Sequence, residues 1–378
     1  TPFVTGKRCR HIEQLMDTAA AHNVAIAMVN QLGANDDLIF DGGAMAGGPQ
    51  GLLLDAAPFE SASVTVDTSG TPVQARDVSD MDMRYRALVL GLGDYCGKTG
   101  HDHVLLGISG GIDSALVAVI AASALGAEAV TGVLMPSRYS SCGSVEDAES
   151  LAANLGLTHT PTLPIEHLHA AFERTMTDAM QSVSSLTEEN AQARARGLLL
   201  MAMANEADAL LLATGNKSEL AMGYCTLYGD MCGAVSVIGD MLKTDVWDMA
   251  RWINEHHADL GFSVPPIPVP TITKPPSAEL RPDQCDQDTL PPYETLDAIV
   301  RAYIEEERGV EDTADHTGLD LAFVRNIIAS IDRAQFKRDQ ASVIPKISPR
   351  TFGRGRPMPI VMRRSGSNVR QAAEGESP

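Results

Sequence analysis

The stretch Gly107-Ile108-Ser109-Gly110-Gly111-Ile112-Asp113-Ser114 constrains this chain more than any other. The apolar run Val104-Leu105-Leu106 leads into it, and residues 115–122, all of them apolar, lead out. That order predicts a buried strand, a glycine turn and a buried helix. Glycines permit positive φ and let the backbone approach a ligand closely. The new helix offers unpaired N–H groups and the positive end of its dipole to an anion. Ser109 and Ser114 add hydroxyl donors, and Asp113 supplies a carboxylate suited to a divalent cation beside phosphate. The pattern is a phosphate cradle but not a Walker loop, since Gly-x-x-x-x-Gly-Lys-Ser/Thr is missing. The bland alternative is a turn that binds nothing; two serines and an aspartate at these spacings argue against it.

The flanking chain repeats the theme. Residues 81–96 have the period of an amphipathic helix, and residues 129–135 read as a second buried strand running into Pro136-Ser137-Arg138-Tyr139-Ser140-Ser141. Residues 145–155 predict a helix, 158–163 a short strand and 186–205 a long helix. On that last helix Asn190 and Arg194 lie one turn apart on one face, with Arg196 pointing elsewhere. Residues 209–213 form a further strand that ends in Thr214-Gly215-Asn216-Lys217-Ser218-Glu219. The expected fold is therefore α/β with a parallel, doubly wound sheet, whose ligands sit beyond the carboxyl ends of the strands. On that topology Arg138 borders a nucleotide or belongs to a surface turn. Asp113 and Glu219 come from different strand ends. Two such carboxylates beside a triphosphate suit Mg2+, which takes oxygen ligands.

At either end the signals are weaker. Residues 6–22 predict a helix, and 24–29, 38–40, 51–54 and 63–67 predict strands, the first of them buried. Residues 68–80 read as a linker. The proline-rich stretches 264–270 and 274–276 are not expected to form regular structure. Two amphipathic helices follow at 293–305 and 321–336, the second with Asp320 as N-cap. Residues after 363 are expected to be a disordered tail.

A chain of 378 residues has room for two domains. Its formal net charge of −20 argues against a nucleic-acid partner, because phosphate backbones are bound by an excess of Lys and Arg. Any anionic substrate must then meet a local basic site inside a negative field. The six cysteines form no C-x-x-C pair, so they read as reduced cytoplasmic thiols, and no membrane span or signal peptide is visible.

The motif Ser-Gly-Gly-x-Asp-Ser resembles the loop of ATP pyrophosphatases, the adenine nucleotide alpha hydrolase-like fold, which cut ATP between its α and β phosphates. The resemblance narrows at Glu189-Asn190-x-Gln192-Ala193-Arg194-x-Arg196, residues 213–219, residues 223–231 and Lys243-Thr244. From about residue 80 onward these segments resemble NAD synthetase of the glutamine-dependent type. That resemblance implies ATP as co-substrate with Mg2+, adenylation of the nicotinate carboxylate of deamido-NAD, and displacement of AMP by ammonia. It also implies that Gly107, Ile108, Ser109, Gly110, Gly111, Ile112, Asp113, Ser114 and Thr214 meet ATP. Asn190, Arg194, Glu219 and Lys337 would then meet deamido-NAD, Asp113 and Glu219 the metal, and Asp113 and Lys243 the chemistry. For Lys243 the alternative is a lysine that merely starts a helix, and for Lys337 a surface lysine that satisfies a helix dipole. The segment 277–294 resembles the part of the family that closes over substrate, and residues 346–360 resemble its C-terminal signature. The family also implies a homodimer or larger homo-oligomer in the cytoplasm.

Pro2-Phe3, Val29-Asn30-Gln31-Leu32-Gly33 and Phe40-Asp41-Gly42-Gly43 resemble the last third of a nitrilase-type glutaminase. Residues 1–79 are thus expected to be a partial nitrilase-type α/β sandwich plus linker, 80–362 the synthetase domain and 363–378 the tail. The glutaminase Glu, Lys and nucleophilic Cys are not in this sequence. Cys9, between Arg8 and Arg10, reads as a helix-face thiol. Because the chain begins at Thr1 rather than Met, it is expected to be a fragment that uses ammonia, with glutamine the donor in the intact family protein. The alternatives are another pyrophosphatase-loop ligase, such as a GMP synthetase or a tRNA thiolation enzyme, or a catalytically dead ATP-binding fragment.

Overall fold

A computed structural model describes residues 1–180 and 182–361. The expected tail lies outside the described residues. The chain opens with α1 (Lys7–His22), followed by five short strands: β1 (Ile26–Met28), β2 (Leu32–Asn35), β3 (Leu38–Asp41), β4 (Met45–Gly48) and β5 (Gly51–Asp55). Strands β1, β4 and β5 form an antiparallel sheet in that order, and α1 lays Ile12 and Leu15 against Met45 and Leu52 on it. A buried ion pair between Arg8 and Asp55 ties helix to sheet. The β2–β3 hairpin turns the other way, and its Ala34 and Ile39 enter the main core beside Leu88 and Leu92 of α2 (Asp80–Thr99). Two sequence expectations fail in this region. Residues 63–67 alternate in polarity but pair with nothing and lie exposed, and the strand expected at 24–29 is three residues long with Val24 and Val29 open to solvent.

The central sheet is built from β6 (Val104–Gly107), β7 (Val130–Val133), β8 (Leu210–Ala213) and β9 (Val235–Ser236), all parallel, in the order β7-β6-β8-β9. Between β6 and β7 runs α3 (Ile112–Leu125). It is apolar all round and accordingly buried all round. After β7 come α4 (Cys142–Leu155), α5 (Glu166–Ala179) and α6 (Ser185–Ala207). Side chains alternate across the sheet as the pleat requires. Val104, Leu106, Leu210 and Leu212 face the core that contains α3, whereas Leu105, Val133 and Leu211 face Ala204 and Leu200 of α6. The strand expected at 158–163 is reduced to two isolated bridges, from His159 and Thr162 to the outer edge of β7.

Past β8 the chain forms α7 (Lys217–Met222) and, after β9, α8 (Lys243–Glu255). The short helix α9 (Val269–Thr273) starts within the stretch expected to be irregular; Pro270 stands in its first turn, where a missing N–H costs nothing. A second, helical core follows: α10 (Tyr293–Val300), extended by one π turn at Arg301–Glu305, then α11 (Val310–Thr317), α12 (Leu321–Arg333) and α13 (Gln335–Arg338). The Asp320 carboxylate caps α12 by accepting from the Phe323 N–H at 2.9 Å. No helix among the described residues is long and apolar enough to cross a membrane.

Candidate active site

The switch in strand order falls between β6 and β8, so their carboxyl ends open one crevice. At the end of β6, Gly110 adopts φ +78°, and a Cβ there would collide with the Ser144 carbonyl, so only glycine fits. Gly111 is the N-cap of α3. The two serines brace the loop while lining the crevice. The Ser109 N–H donates to Ser114 Oγ at 3.2 Å, and Ser114 Oγ donates to the Gly111 carbonyl at 3.0 Å. The Gly111 N–H in turn donates to Ser109 Oγ at 3.1 Å.

At the end of β8, Asn216 joins the two strand ends. Its Nδ2 donates to Asp113 Oδ1 at 2.8 Å, while its Oδ1 accepts from the Glu219 N–H at 2.9 Å and its own N–H donates back to Glu219 Oε2 at 3.1 Å. This is a capping box that fixes α7 and Glu219 together. Lys217, fully buried, anchors the same turn through Asp240 at 2.9 Å and Glu305 at 2.6 Å. Lys243, the first residue of α8, is 2 % exposed and sits between the carboxylates, paired with Asp113 and 3.6 Å from Glu219. Burial alone would lower its pKa, but Asp113 and Glu219 outweigh burial and hold the ammonium above the usual lysine range. Burial and the neighbouring Asp113 charge push the Glu219 carboxyl well up, against the opposing pull of Lys243.

Two adjoining cavities fill the crevice. The first, of ≈ 230 Å³, is lined by Gly111, Ile112, Asp113 and Ser114 from one strand end, by Glu219 and Lys243, and by Asp286 from the segment after α9. The second, of ≈ 260 Å³, is lined by Gly107, Ile108, Leu134 and Arg196. Ser109, Thr214 and Glu279 face both.

The remaining sequence-predicted residues lie elsewhere. Asn190 accepts from the Thr226 hydroxyl at 2.8 Å, Arg194 donates to the Leu227 carbonyl at 3.2 Å, and Lys337 donates to the Gly223 and Cys225 carbonyls at 2.7 and 2.6 Å. All three converge on the loop 223–231, whose Tyr224, Cys225 and Asp230 wall the first cavity. Lys337 is thus a half-buried clamp rather than a surface lysine. Arg138 lines neither cavity; it is held outward by Glu166 at 2.5 Å and Glu173 at 3.1 Å on α5. The arginine that does reach the crevice is Arg196. Its Nε donates to the Met135 carbonyl at 3.2 Å, and burial pushes its guanidinium down to about 10 despite the opposing charge of Glu279. Asp286 was also unforeseen: its Oδ2 accepts from the Tyr293 hydroxyl at 2.8 Å, while its buried Oδ1 has no partner. Among the described residues no three His, Cys, Asp or Glu side chains cluster as a metal cage.

Comparison with known proteins gives this geometry a family. Residues 84–341 match the family model of NAD synthase. The glutamine-dependent NAD(+) synthetase of Synechocystis sp. is 43% identical over 369 residues, covering 95% of this chain and 64% of that protein. The structure of glutamine-dependent NAD+ synthetase from Acinetobacter baumannii in complex with ADP superposes with a TM-score of 0.68 at 37% identity, over 95% of this chain and 66% of that one. The NH3-dependent NAD synthetase of Campylobacter jejuni, solved with a nitrate ion, gives a TM-score of 0.51 at 26% identity, over 67% of this chain but 94% of that one. This chain therefore spans just under two thirds of the length of the Synechocystis relative. Because the family match runs from α2 through α13 and takes in the glycine loop, both carboxylates and Lys243, the chain belongs to the NAD synthase family.

Proposed function

We propose that this chain converts deamido-NAD to NAD with ATP and ammonia, releasing AMP and pyrophosphate. The observation that carries the reading is Lys243, buried between Asp113 and Glu219 at the mouth of a glycine loop. In the first step a nicotinate carboxylate oxygen bonds to the α-phosphorus of ATP and the bond to pyrophosphate breaks. In the second, ammonia bonds to the acyl carbon, AMP leaves and the nitrogen sheds a proton. A carboxylate is a poor electrophile until AMP is its leaving group, so the chain has two tasks: holding the reactants in line and countering phosphate charge.

The residues divide those tasks. The N–H groups that open α3, at Ile112 and Asp113, face the phosphates, with Thr214 beside them. Arg196 and the apolar walls of the second cavity take the adenosine end. Lys243 brings a permanent positive charge to the departing pyrophosphate. Asp113 and Glu219 would hold a magnesium ion: both are hard oxygen donors, brought together at the ends of β6 and β8 by Asn216. Such an ion, when bound, neutralises and orients phosphate oxygens. Asn190, Arg194 and Lys337 act on deamido-NAD through the 223–231 loop they hold.

We read residues 1–79 as part of a glutaminase module, 80–362 as the synthetase and 363–378 as a tail, in a cytoplasmic homodimer or larger homo-oligomer. The division into two modules is supported by the length of the Campylobacter relative, nearly all of which is covered by two thirds of this chain. Cys9, exposed on α1, is not expected to act as a nucleophile. The test is NAD formation from deamido-NAD and ATP with ammonium or glutamine as donor. The expected result is product with ammonium alone, and a loss of about 10²-fold or more in Asp113→Asn and Glu219→Gln. Full activity in either variant refutes that residue's role. Product from glutamine that vanishes in Cys9→Ser would show that α1 carries a nucleophile after all.

A further inference from the structure

The segment from Lys274 to Leu290 crosses the crevice and is fastened at the first turn of α4. Lys274 Nζ donates to Ser144 Oγ at 3.1 Å and pairs with Asp147 at 2.9 Å. Glu279 accepts from three donors there: Ser144 Oγ at 2.7 Å, Ser141 Oγ at 2.9 Å and the Ser141 N–H at 3.3 Å. Further along, the Gln192 amide donates to the Leu280 carbonyl at 2.8 Å. Ser144 is also the residue against which Gly110 of the phosphate loop leans. Strap and loop thus share one abutment.

The position of Glu279 has a cost for binding. Within the strap, Ala278 and Glu279 are the residues that line both cavities. Small-molecule sites enclose roughly 300–1,000 Å³. Neither cavity, at ≈ 230 and ≈ 260 Å³, reaches that range alone, whereas the two joined do. The Glu279 carboxylate is itself an anion on helix-end donors beside the phosphate loop, where it repels an incoming phosphate. Its charge also faces Arg196 across the second cavity.

We infer that Glu279 is a removable wall of the nucleotide cleft, an internal anion that must leave Ser141 and Ser144 before a nucleotide can span both cavities. Lys274 and Gln192 keep the strap attached while Glu279 swings, so admission does not require the whole segment to open. The inference deepens the proposed function and rests on it only in taking the ligand to be a nucleotide.

The experiment compares the full chain with its Glu279→Gln variant, which keeps the shape and removes the charge. Binding of ADP with Mg2+ is measured by calorimetry, and hydrogen exchange of residues 274–284 is followed in the free proteins. The expected result is ADP binding at least threefold tighter in the variant; unchanged or weaker binding overturns the inference. If the wild type binds no ADP, it is the proposed function that has failed. Exchange of the strap in the free proteins then decides: faster exchange in the variant supports the latch, and equal exchange overturns it.

Discussion

Lys243 shows how much of the site hangs on one side chain. It is buried against Trp247 and Tyr293, with its ammonium 6.0 and 5.5 Å from their ring centres, and its charge is matched by Asp113 and Glu219. Removing one partner from a buried ionic cluster leaves the others uncompensated, at a cost of about 3–5 kcal/mol. Lys243→Met is therefore expected to lower the melting temperature and abolish NAD formation. The two freed carboxylates then attract a divalent cation more strongly, and ligand binding to the folded state raises stability by mass action. Millimolar Mg2+ should raise the melting temperature of Lys243→Met more than that of the wild type. Equal shifts would mean that Asp113 and Glu219 do not share an ion. Asp113 and Glu219 were legible in the sequence because each sits just past a strand end, whereas Lys243 was singled out by the family resemblance. The arginines were not legible. Arg138 follows β7 directly, but sequence adjacency does not say which way a long side chain turns, and Glu166 and Glu173 of the unforeseen helix α5 draw it outward. Arg196 was set aside because it is off the Asn190–Arg194 face, and that is why it reaches the Met135 carbonyl at the end of the sheet.

At the scale of elements, strands were legible where apolar runs were bounded by glycine turns, as for β6 and β8. They were missed where the sheet itself supplies the order. Strand β9 is two residues long and held by neighbours on both sides, and β4 reads Met-Ala-Gly-Gly, a poor strand by composition. The hairpin β2–β3 owes its place to packing on α2. Ile39, 1 % exposed, lies over Gly91, where an added Cβ would come 2.9 Å from its Cδ1. Ile39→Ala is expected to cost about 2–5 kcal/mol through the cavity it leaves. Gly91→Ala should cost less, since overpacking of about 1–3 kcal/mol against the end of Ile39 is offset by about 1 kcal/mol of helix propensity gained in α2. The two changes are complementary in volume, so the double variant should be more stable than the sum of the single losses predicts. Urea unfolding of the four proteins checks this. Strict additivity would show that the hairpin and α2 are not in register as described.

At the scale of the whole molecule, the site lies on the seam between two cores. Leu242 belongs to the helical core, and Val246, one turn into α8, belongs to the core beneath the sheet, so Lys243 starts a helix that bridges them. Glu219 stands likewise between β8 in one core and Leu220 in the other. This seam lies inside a molecule of net charge −20, whose proposed substrates are anions. The buried Lys243 acts at contact distance, but the field that an approaching nucleotide meets first is repulsive. Salt screens the two unequally. The Debye length falls from about 30 Å at 0.01 M to about 8 Å at 0.15 M, which removes long-range repulsion and barely touches a buried ion pair. We therefore expect kcat/KM for ATP to rise severalfold as KCl is raised from about 0.01 to about 0.15 M at fixed Mg2+. A fall in kcat/KM over the same range would mean that attraction by Lys243, Lys274 and Arg196 extends beyond the crevice and outweighs the surface charge.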